Sequence, residues 1–486
     1  MRASAPATAA IVNLGCKVNQ SEMEAAARLL RTAGVELVDG SAKADLVLVN
    51  TCTVTAEADR KSRNAVARAR RASPDADVLV TGCSVQVGRD AFAAVDPSAR
   101  LIDNRSKDAL LAELAALAGL PSLGAVEGGV ADRPLPTLSG AEIAGVADDR
   151  TSVERTRAFV KVQDGCSFFC TYCIIPAARG PERSLPPDLV LADVRRALAR
   201  GHREIVLTGI NIGTYDGGSS ERGARGSHVR SALTLAGLIG RIVTETPVER
   251  IRLSSIEPQH VDDELLQVWR GAAPRTLPHF HLPLQSGDDG VLRRMGRRYD
   301  TARYRAVVAA VRAAIPGVAV HADVIAGFPT ESEEAFVRTE AFVETLDLAG
   351  LHVFRYSARP GTPAVRMAGQ VDEAEKKRRA ARLLERGAEA RTRWARRAVG
   401  RDRSVLFESR LGDGRWLGKA EDYTSVTAFP PAGRGVLENV VARVAIDGID
   451  PAVPDRATGS ITALAPQTRS LSRSLPLAPV GGTDAV

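Results

Sequence analysis

Three of the six cysteines of the chain lie close together, in the pattern Cys166-x-x-x-Cys170-x-x-Cys173. Three thiolates cannot complete the four-ligand shell that structural zinc sites and ordinary iron–sulfur clusters require. They can hold a four-iron cluster in which one iron stays open to another molecule. The alternatives for this spacing are a partial zinc knuckle and three incidental cysteines.

The other three cysteines, Cys16, Cys52 and Cys83, each follow an apolar run rich in β-branched residues. Such runs predict buried parallel strands, with helices between them. Ser21-Glu22-Met23-Glu24 fits a capping box and predicts the start of the first helix. Because parallel strands end at one edge of a sheet, we expect these cysteines to meet there and form a second three-thiolate site. The alternative is three small buried core residues.

Length and composition indicate the class of protein. The chain has 486 residues, of which 44% are hydrophobic, enough for about three domains. No apolar run approaches the roughly 18–20 residues of a membrane span, and the first residues do not resemble a signal peptide. Six cysteines are too few for a disulfide scaffold in a chain of this length. We therefore predict a cytoplasmic protein with metal-bound thiolates and no membrane partner.

The positive charge of the chain is concentrated in one stretch. The net charge is +7, yet Lys376 to Arg403 holds twelve Lys or Arg and three Asp or Glu, a balance of +9. The rest of the chain is therefore close to −2. A concentrated basic stretch favours a polyanionic partner such as a nucleic acid. The alternative is an ordinary solvated helix face.

Strand and helix patterns alternate along most of the chain, which predicts an α/β protein with parallel sheets. In the second domain, six predicted strands fit a partial six-stranded βα barrel with its site at their carboxyl ends. They are Thr156–Val162, Glu204–Leu207, Arg250–Leu253, His279–Leu282, Ala319–Ile325 and Gly350–Phe354. Asp216–Ser231 is predicted to be a mobile loop.

Composition shifts divide the chain into six predicted segments. They are an N-terminal parallel α/β domain (8–120), a linker (121–150), the partial barrel (151–372), a basic connecting helix (373–402), a small OB-like β-barrel (403–450) and a disordered tail (451–486). In the small barrel, Trp416, Tyr423 and Phe429 could stack on bases; barrel core is the alternative, and it is favoured for Phe429.

The cysteine motifs closely match one enzyme family. The spacing of Cys166, Cys170 and Cys173 is that of radical S-adenosylmethionine (SAM) enzymes, and the runs 14–20, 50–55 and 166–179 resemble the methylthiotransferases among them. The resemblance covers roughly residues 10–450 and implies an N-terminal cluster domain, a radical SAM domain and a TRAM barrel domain, in that order. These enzymes insert a methylthio group into a carbon–hydrogen bond.

Five motifs resemble the branch of the family that acts on N6-threonylcarbamoyladenosine of tRNA, at carbon 2 of the base next to the anticodon. They are Leu14-Gly15-Cys16-Lys17-Val18-Asn19-Gln20, Asp164-Gly165-Cys166, Arg252–Pro258, Leu282–Gly287 and Leu351-His352-Val353-Phe354. Isopentenyladenosine of tRNA and an aspartate of a ribosomal protein remain alternative substrates. An iron–sulfur RNA-binding redox sensor without turnover is the alternative of another class, disfavoured by the motifs that could contact SAM.

The resemblance also implies cofactors, partners and roles. Cys166, Cys170 and Cys173 would hold the catalytic cluster that reduces SAM to a 5′-deoxyadenosyl radical, while Cys16, Cys52 and Cys83 would hold a sulfur-donating cluster. Two [4Fe-4S] clusters and SAM are thus the expected cofactors. The expected partners are the tRNA anticodon stem-loop, an electron donor such as a flavodoxin or ferredoxin, and a sulfur source.

Residues that follow predicted strands are the expected SAM contacts. They are Thr208, Gly209, Asn211, Ser254, Ser255, Glu257, Gln285 and Ser286. A glycine there would allow the backbone to approach a ligand closely, although a plain turn is the alternative. Asp323 is either a structural or a catalytic carboxylate. His279 and His281 point to one side of a strand and are expected to be core or supporting imidazoles.

Overall fold

The computed structural model describes residues 5–40, 42–104, 107–119, 156–218 and 233–465. The predicted linker over 121–150, most of the predicted loop Asp216–Ser231 and the end of the predicted tail lie outside the described residues. The described part contains a five-stranded parallel sheet, two three-stranded sheets, a two-stranded ribbon and a closed five-stranded barrel. The predicted α/β class with a small C-terminal β-barrel is confirmed.

The N-terminal domain is a parallel sheet with helices on both faces. Its strands are β1 (Thr8–Asn13), β2 (Glu36–Val38), β3 (Leu46–Thr51), β4 (Asp77–Gly82) and β5 (Arg100–Ile102), in the order β2-β1-β3-β4-β5. Its helices are α1 (Lys17–Thr32), α2 (Ala56–Ala72), α3 (Cys83–Ala93) and α4 (Lys107–Leu117). Leu46 and Leu48 pack with α1 and α4, whereas Val47 and Val49 pack with α2 and α3. This alternation explains the continuous apolar runs, because both faces of each strand are buried.

The prediction that the first helix starts at Ser21 is wrong. Helix α1 begins at Lys17, and Cys16 is its N-cap with an extended backbone. The chain turns directly after β1, and Val18 and Asn19 are already buried, so the helix forms four residues earlier than the capping-box pattern indicates. As a consequence, Cys16 lies at a helix N-terminus.

The second domain contains a partial barrel of six parallel strands in the order β6-β9-β10-β11-β12-β13. Its strands are β6 (Arg157–Lys161), β7 (Gln163–Asp164), β8 (Arg183–Ser184), β9 (Glu204–Thr208), β10 (Arg250–Leu253), β11 (His279–His281), β12 (Ala319–Ala326) and β13 (Gly350–Arg355). Bridges between Ile251 and Thr276 and between Ser255 and His281 join the two three-stranded halves. Strand β7 pairs with β8 as a separate ribbon.

Helices cover this barrel on the outside and, in the case of α5, at the end that faces the N-terminal domain. They are α5 (Ile175–Arg179), α6 (Pro187–Ala199), α7 (Leu235–Glu245), α8 (Asp263–Gly271), α9 (Asp289–Met295), α10 (Thr301–Ala314) and α11 (Glu333–Thr345), with short 3₁₀ helices at Ile212–Thr214, Pro258–His260 and Pro363–Arg366. The long helix α12 (Glu373–Arg396) follows and buries Ala380 and Leu383 in the same core. Among the described residues, no helix is long and apolar enough to cross a bilayer.

The C-terminal barrel is longer than predicted. It consists of β14 (Asp402–Arg410), β15 (Trp416–Ala420), β16 (Ser425–Ala428), β17 (Val441–Ile449) and β18 (Arg456–Leu464), closed in the order β14-β15-β16-β18-β17. The prediction of a disordered segment from Pro451 is therefore wrong for β18. This strand alternates small or apolar residues with polar ones, and its backbone pairs with β16 and β17 to close the barrel. Its polar composition resembles that of a disordered tail.

Candidate active site

The loop of Cys166, Cys170 and Cys173 follows β7 and is fixed by its backbone. Gly165 has a φ of 73°, and a Cβ there would lie 1.9 Å from the carbonyl oxygen of Pro181, so only glycine fits. Cys166 N–H donates to the carbonyl of Gly180 at 3.0 Å, and Cys173 N–H donates to that of Cys170 at 2.9 Å. The loop therefore holds three thiols in a defined arrangement at one end of the barrel.

Polar side chains point N–H groups at these sulfurs. Asn211 Nδ2 lies 3.9 Å from Cys166 Sγ, and Arg297 Nη1 lies 3.5 Å from Cys170 Sγ. Arg297 also pairs with Glu257 and lies 3.3 Å from the hydroxyl of Tyr172. Hydrogen bonds to sulfur stabilise the negative charge of a cluster and tune its reduction potential. Arg297 thus connects the cysteine loop to one of the residues expected to contact SAM.

Gln163 organises the expected SAM-binding turn after β9. Its buried side chain donates to the carbonyl of Gly165 at 2.9 Å and accepts the N–H of Asn211 at 2.9 Å. A Cβ at Gly209 would lie 2.9 Å from Gln163 Oε1. The close approach of Gln163 therefore requires a glycine at position 209. The reason expected from the sequence is a different one, namely close approach of the backbone to a ligand. Thr208 is buried at the end of β9.

Two of the expected SAM contacts have buried polar atoms without a hydrogen-bond partner among the described residues. These atoms are Asn211 Oδ1 and Ser254 Oγ, at the carboxyl ends of the neighbouring strands β9 and β10. Unpaired buried polar atoms are costly and indicate a place where a ligand or water completes the hydrogen bonds. Their position fits a polar cofactor bound beside the cysteine loop.

The remaining expected SAM contacts have different surroundings. Ser255 Oγ lies 3.0 Å from Nδ1 of His281, and the partly buried Glu257 pairs with Arg297. Burial raises the pKa of Glu257, although Arg297 opposes this effect. Gln285 has a φ of 67° and pairs with β12 through its backbone. Ser286 Oγ is buried 3.1 Å from Oγ1 of Thr339, so its hydroxyl holds the loop.

The second cysteine group lies at the carboxyl edge of the N-terminal sheet, as the strand pattern predicts. Cys16, Cys52 and Cys83 follow β1, β3 and β4, which are neighbours in the sheet. Cys16 caps α1 and Cys83 is the first residue of α3, so helix N-termini face the thiols and favour negative charge there. Asn104 Nδ2 lies 3.5 Å from Cys83 Sγ. The structure therefore brings three cysteines together from strands about 30 residues apart in sequence.

Both cysteine groups fit iron–sulfur clusters better than single ions. Burial raises the pKa of Cys52 to about 11 and that of Cys173 to about 12, so a bound cation must supply the charge that makes them thiolates. A zinc ion would hold sulfurs within about 3.8 Å of one another. In the described ranges, only His281, Asp323 and His352 form a group of three potential ligands whose atoms all lie within 4.8 Å.

A buried ion-pair network lies between the two cysteine groups. Arg179 on α5 is 1% exposed and contacts Asp164 of the cysteine loop at 2.8 Å and Glu22 of α1 at 3.2 Å. It also donates to Asn19, three residues after Cys16. Burial opposes ionisation of Asp164, but Arg179 and Lys161 outweigh it and lower its pKa to about 2. The network thus fixes the N-terminal domain against the cysteine loop of the second domain.

Polar residues of all three domains form a cluster inside the partial barrel. His281 Nε2 is 2.7 Å and His352 Nδ1 is 3.2 Å from Oδ1 of Asp323. Tyr423 of the C-terminal barrel stacks on His279 with ring centroids 4.6 Å apart. Lys17 of α1 lies near enough to interact electrostatically with Tyr423 and Asp323. We call this group the histidine cluster; its members are Lys17, His279, His281, His321, Asp323, His352 and Tyr423.

Most of the cations in the basic stretch from Lys376 to Arg403 form ion pairs within the protein. Eight of its twelve cations pair with carboxylates of the described residues, for example Arg379 with Glu331 at 2.8 Å. Lys377, Arg393, Arg396 and Arg401 are exposed and have no such pair in these ranges.

Two aromatic residues of the C-terminal barrel differ in exposure. Trp416 belongs to the barrel core, whereas Phe429 is 63% exposed. The expectation that Phe429 is a core residue is therefore wrong.

Sequence reasoning missed several residues of the site. Gln163, Arg297 and Arg179 are single polar residues whose partners lie far away in the chain, so no spacing pattern identifies them. Gln163 lies directly before the Asp164-Gly165-Cys166 motif, which is the one local signal. Lys17, next to Cys16, and His352 lie inside quoted motifs, but their convergence on Asp323 depends on the fold.

Two family models match the chain. Residues 8–102 match the model described as "Uncharacterized protein family UPF0004", and residues 160–343 match the radical SAM superfamily. A radical SAM methyltransferase, TsrM from Kitasatospora setae, covers 74% of this chain and 77% of its own with a TM-score of 0.52. Its sequence identity is 15%, so the similarity concerns the fold alone.

Curated relatives are similar over most of their length. Threonylcarbamoyladenosine tRNA methylthiotransferase MtaB of Bacillus subtilis is 38% identical over 78% of this chain and 80% of the relative. MtaB of Thermotoga maritima is 36% identical over 86% and 90%. The tRNA-2-methylthio-N(6)-dimethylallyladenosine synthase of Maricaulis maris is 32% identical over 93% and 96%.

Proposed function

Because the chain belongs to the radical SAM methylthiotransferase family, we propose that it inserts a methylthio group at carbon 2 of N6-threonylcarbamoyladenosine in tRNA. The observation that carries the proposal is the similarity to the MtaB relatives, which extends at 36–38% identity over most of both chains. The cysteine loop and the three-cysteine edge of the N-terminal sheet are the two sites that such a reaction needs. The enzyme is a transferase of a sulfur-containing group.

Cys166, Cys170 and Cys173 are the residues that hold the family's [4Fe-4S] cluster, beside which SAM binds. With both bound, the site supplies a 5′-deoxyadenosyl radical that can remove hydrogen from an unactivated carbon. We propose that Asn211 and Arg297 stabilise the sulfurs, as their distances of 3.9 and 3.5 Å support. Asn211 Oδ1 and Ser254 Oγ, both buried and unpaired among the described residues, are the proposed polar contacts to SAM.

We further propose that Cys16, Cys52 and Cys83 hold a second [4Fe-4S] cluster that donates sulfur. The position of all three at one sheet edge, two of them at helix N-termini, supports this role. Arg179 and Glu22 join that edge to the radical loop through buried contacts, which would keep the two clusters at a fixed separation. Each turnover also requires a reductant, such as flavodoxin or ferredoxin, and a source of replacement sulfur.

The proposed nucleic-acid partner is the anticodon stem-loop of tRNA. Arg393, Arg396 and Arg401 at the end of α12 are exposed cations, and Phe429 of the neighbouring barrel is an exposed aromatic ring. Free cations and an exposed ring are the usual contacts to phosphates and unpaired bases. This surface is smaller than the twelve cations of the sequence suggest, because eight of them are paired within the protein.

Reconstituted protein tests the proposal directly. Anticodon stem-loops that carry threonylcarbamoyladenosine, isopentenyladenosine or plain adenosine are incubated anaerobically with SAM and reductant, and their nucleosides are identified by mass spectrometry. We expect the methylthio product from the first stem-loop and little from the other two. A Cys166→Ser variant is the matched control and should give no product. Methylthio groups on isopentenyladenosine alone would reject the proposed substrate.

Isopentenyladenosine is the second candidate substrate. The relative from Maricaulis maris, whose name specifies dimethylallyladenosine, covers 93% of this chain, more than the MtaB relatives do. Its identity is lower, at 32% against 36–38%. The stem-loop comparison separates the two substrates.

A further inference from the structure

Lys17 is a half-buried cation without a partner. It follows Cys16 directly, and its ammonium makes no hydrogen bond or ion pair with any residue in the described ranges. Tyr423, Arg157, Arg252 and Asp323 are close enough to interact with it electrostatically. Removing a cation from water without pairing it costs free energy, so such a residue is expected to pair with a ligand. The ligand should carry a negative charge.

Asp323 offers a complementary acceptor in the same histidine cluster. Both of its hydrogen bonds in the described residues, from His281 Nε2 and His352 Nδ1, end on the same oxygen, Oδ1. Its second oxygen, Oδ2, is therefore free to accept another hydrogen bond. Burial alone would raise the pKa of Asp323, but the two histidines lower it below its usual value, so the carboxylate is charged. His352 is 55% exposed and faces open space.

The same three side chains could be considered as a metal site, because two histidines and a carboxylate are common ligands. Their arrangement favours another role. Both imidazole nitrogens are directed at one carboxylate oxygen, and Ser255 at 3.0 Å fixes the other nitrogen of His281. Those two nitrogens donate N–H groups to the carboxylate, whereas a metal ion would need their lone pairs, so binding it would remove both hydrogen bonds to Asp323. The group as it stands is a hydrogen-bonded support for a carboxylate.

The charges around the histidine cluster favour an anionic group. Arg157 pairs with Glu408, and Arg250 and Arg252 pair with Glu204. Lys17 and Lys419 have no carboxylate partner in the described residues. The best ligand thus carries a carboxylate for Lys17 and, a short distance away, an N–H or O–H donor for Asp323.

We propose that the histidine cluster binds the threonylcarbamoyl group of the substrate, with Lys17 pairing with its carboxylate and Asp323 Oδ2 accepting from its N–H or hydroxyl. This inference rests on the proposed function and names the residues that select its substrate. Because Lys17 adjoins Cys16, this contact places the base next to the proposed sulfur-donating cluster. An isopentenyl group would leave Lys17 and Asp323 unpaired, and sites built for polar groups reject analogues that lack them by up to about 10⁴–10⁵-fold.

The test compares an acid with its ester. Stem-loop RNA with threonylcarbamoyladenosine, and the same RNA with the threonyl carboxylate as a methyl ester, are titrated anaerobically against wild-type protein, Lys17→Met and Lys61→Met. Lys61 is an exposed lysine of the same domain and serves as the control. We expect wild type and the control to bind the acid at least about tenfold more tightly than the ester, as one charged contact predicts. Lys17→Met should bind both equally, and kcat/KM should follow the same pattern.

A second variant protects the test against misfolding of the first. His352→Gln changes an exposed ring, and iron content reports whether each variant is folded and loaded. We expect this variant to lose part of the preference for threonylcarbamoyladenosine over plain adenosine.

Either of two results would overturn the inference. One is that the Lys17→Met variant keeps the wild-type preference for the acid over the ester. The other is that the His352→Gln variant has lost a divalent metal other than iron that the wild-type protein binds. If wild type modifies isopentenyladenosine and not threonylcarbamoyladenosine, the proposed function fails instead, which is a different outcome.

Discussion

Arg297 shows how single residues couple the parts of the site. It lies 3.5 Å from Cys170 Sγ and pairs with Glu257, so it links the sulfur of one cysteine to a residue expected near SAM. Asn211 does the same for Cys166 from the end of β9. Hydrogen bonds to sulfur shift the reduction potential of an iron–sulfur cluster. These two side chains would therefore help to set the potential at which a bound cluster gives an electron to SAM.

Glu204 is the buried carboxylate that attaches the C-terminal barrel. Arg250 and Arg252 both bond to it, at 3.0 and 2.8 Å, and reach over to Ser404 and to the carbonyl of Ala420. Burial would raise the pKa of Glu204, but the two arginines outweigh it and lower the pKa to about 2. The depression corresponds to about 3 kcal/mol of stability when the carboxylate is charged.

Acid should therefore weaken this attachment. A carboxylate with a depressed folded-state pKa contributes its full stability above its unfolded-state pKa, about 4.3, and loses it as the pH falls toward 2. In anaerobic thermal melts, Glu204→Gln should be less stable than wild type at pH 7, and the difference should shrink below pH 4. Glu249→Gln, at a half-exposed carboxylate paired with Arg203, is the control and should change little. An equal deficit at both pH values would contradict this role.

Helix α12 is the element whose role changes most between sequence and structure. Its cations mainly attach it to the second domain, as Arg382 does with Glu340. Its apolar face buries Leu383 in the core, so removing the helix would expose that core. Point variants on α12 therefore test RNA binding better than a protein that ends before Asp372, because the shortened protein would have an exposed core.

Charge reversal at the end of α12 should weaken tRNA binding. We expect Arg393→Glu/Arg396→Glu to lower affinity at least about tenfold and to reduce the slope of log affinity against log salt by about 2, one unit per phosphate contact. Binding is measured at several salt concentrations. Lys43→Glu/Lys61→Glu, at two exposed lysines of the N-terminal domain, is the control. An unchanged salt slope in the first variant would place the tRNA elsewhere on the protein.

Sequence patterns predicted the elements where burial and periodicity agree. The bounds of β10 are as predicted, because its alternation of arginine with isoleucine and leucine has the period of two that is typical of a strand. Strand β18 was missed because barrel closure, rather than an apolar run, determines it. At the site, spacing predicted the cysteines. Gln163, Arg297 and Lys17 could not be predicted, since their roles depend on residues brought close only by the fold.

The molecule as a whole contains two groups of three cysteines in two different domains. The loop of Cys166, Cys170 and Cys173 belongs to the second domain, and the other three cysteines belong to the N-terminal sheet, with Arg179 and Glu22 between them. Arg359 forms a second connection, bonding to Thr53 at 2.5 Å and pairing with Asp59 near Cys52. The two sites are thus held together while being built from separate sequence motifs.

Removing each cysteine group should separate their functions. Wild type should hold about eight irons and either triple Cys→Ala variant about four, by the stoichiometry of four-iron clusters. The Cys16→Ala/Cys52→Ala/Cys83→Ala variant should still form 5′-deoxyadenosine but insert no sulfur, because radical generation needs only the other group. The Cys166→Ala/Cys170→Ala/Cys173→Ala variant should do neither. Zinc in place of iron, or loss of SAM cleavage in an iron-loaded variant of the first group, would contradict this division.

The nucleosides of tRNA from a strain that lacks this gene test the central claim most directly. By mass spectrometry, we expect threonylcarbamoyladenosine to accumulate and its 2-methylthio form to disappear. Wild type should restore the product, and the variants of either cysteine group should not. A strain that retains methylthio-threonylcarbamoyladenosine, or that instead loses methylthio-isopentenyladenosine, would contradict the account.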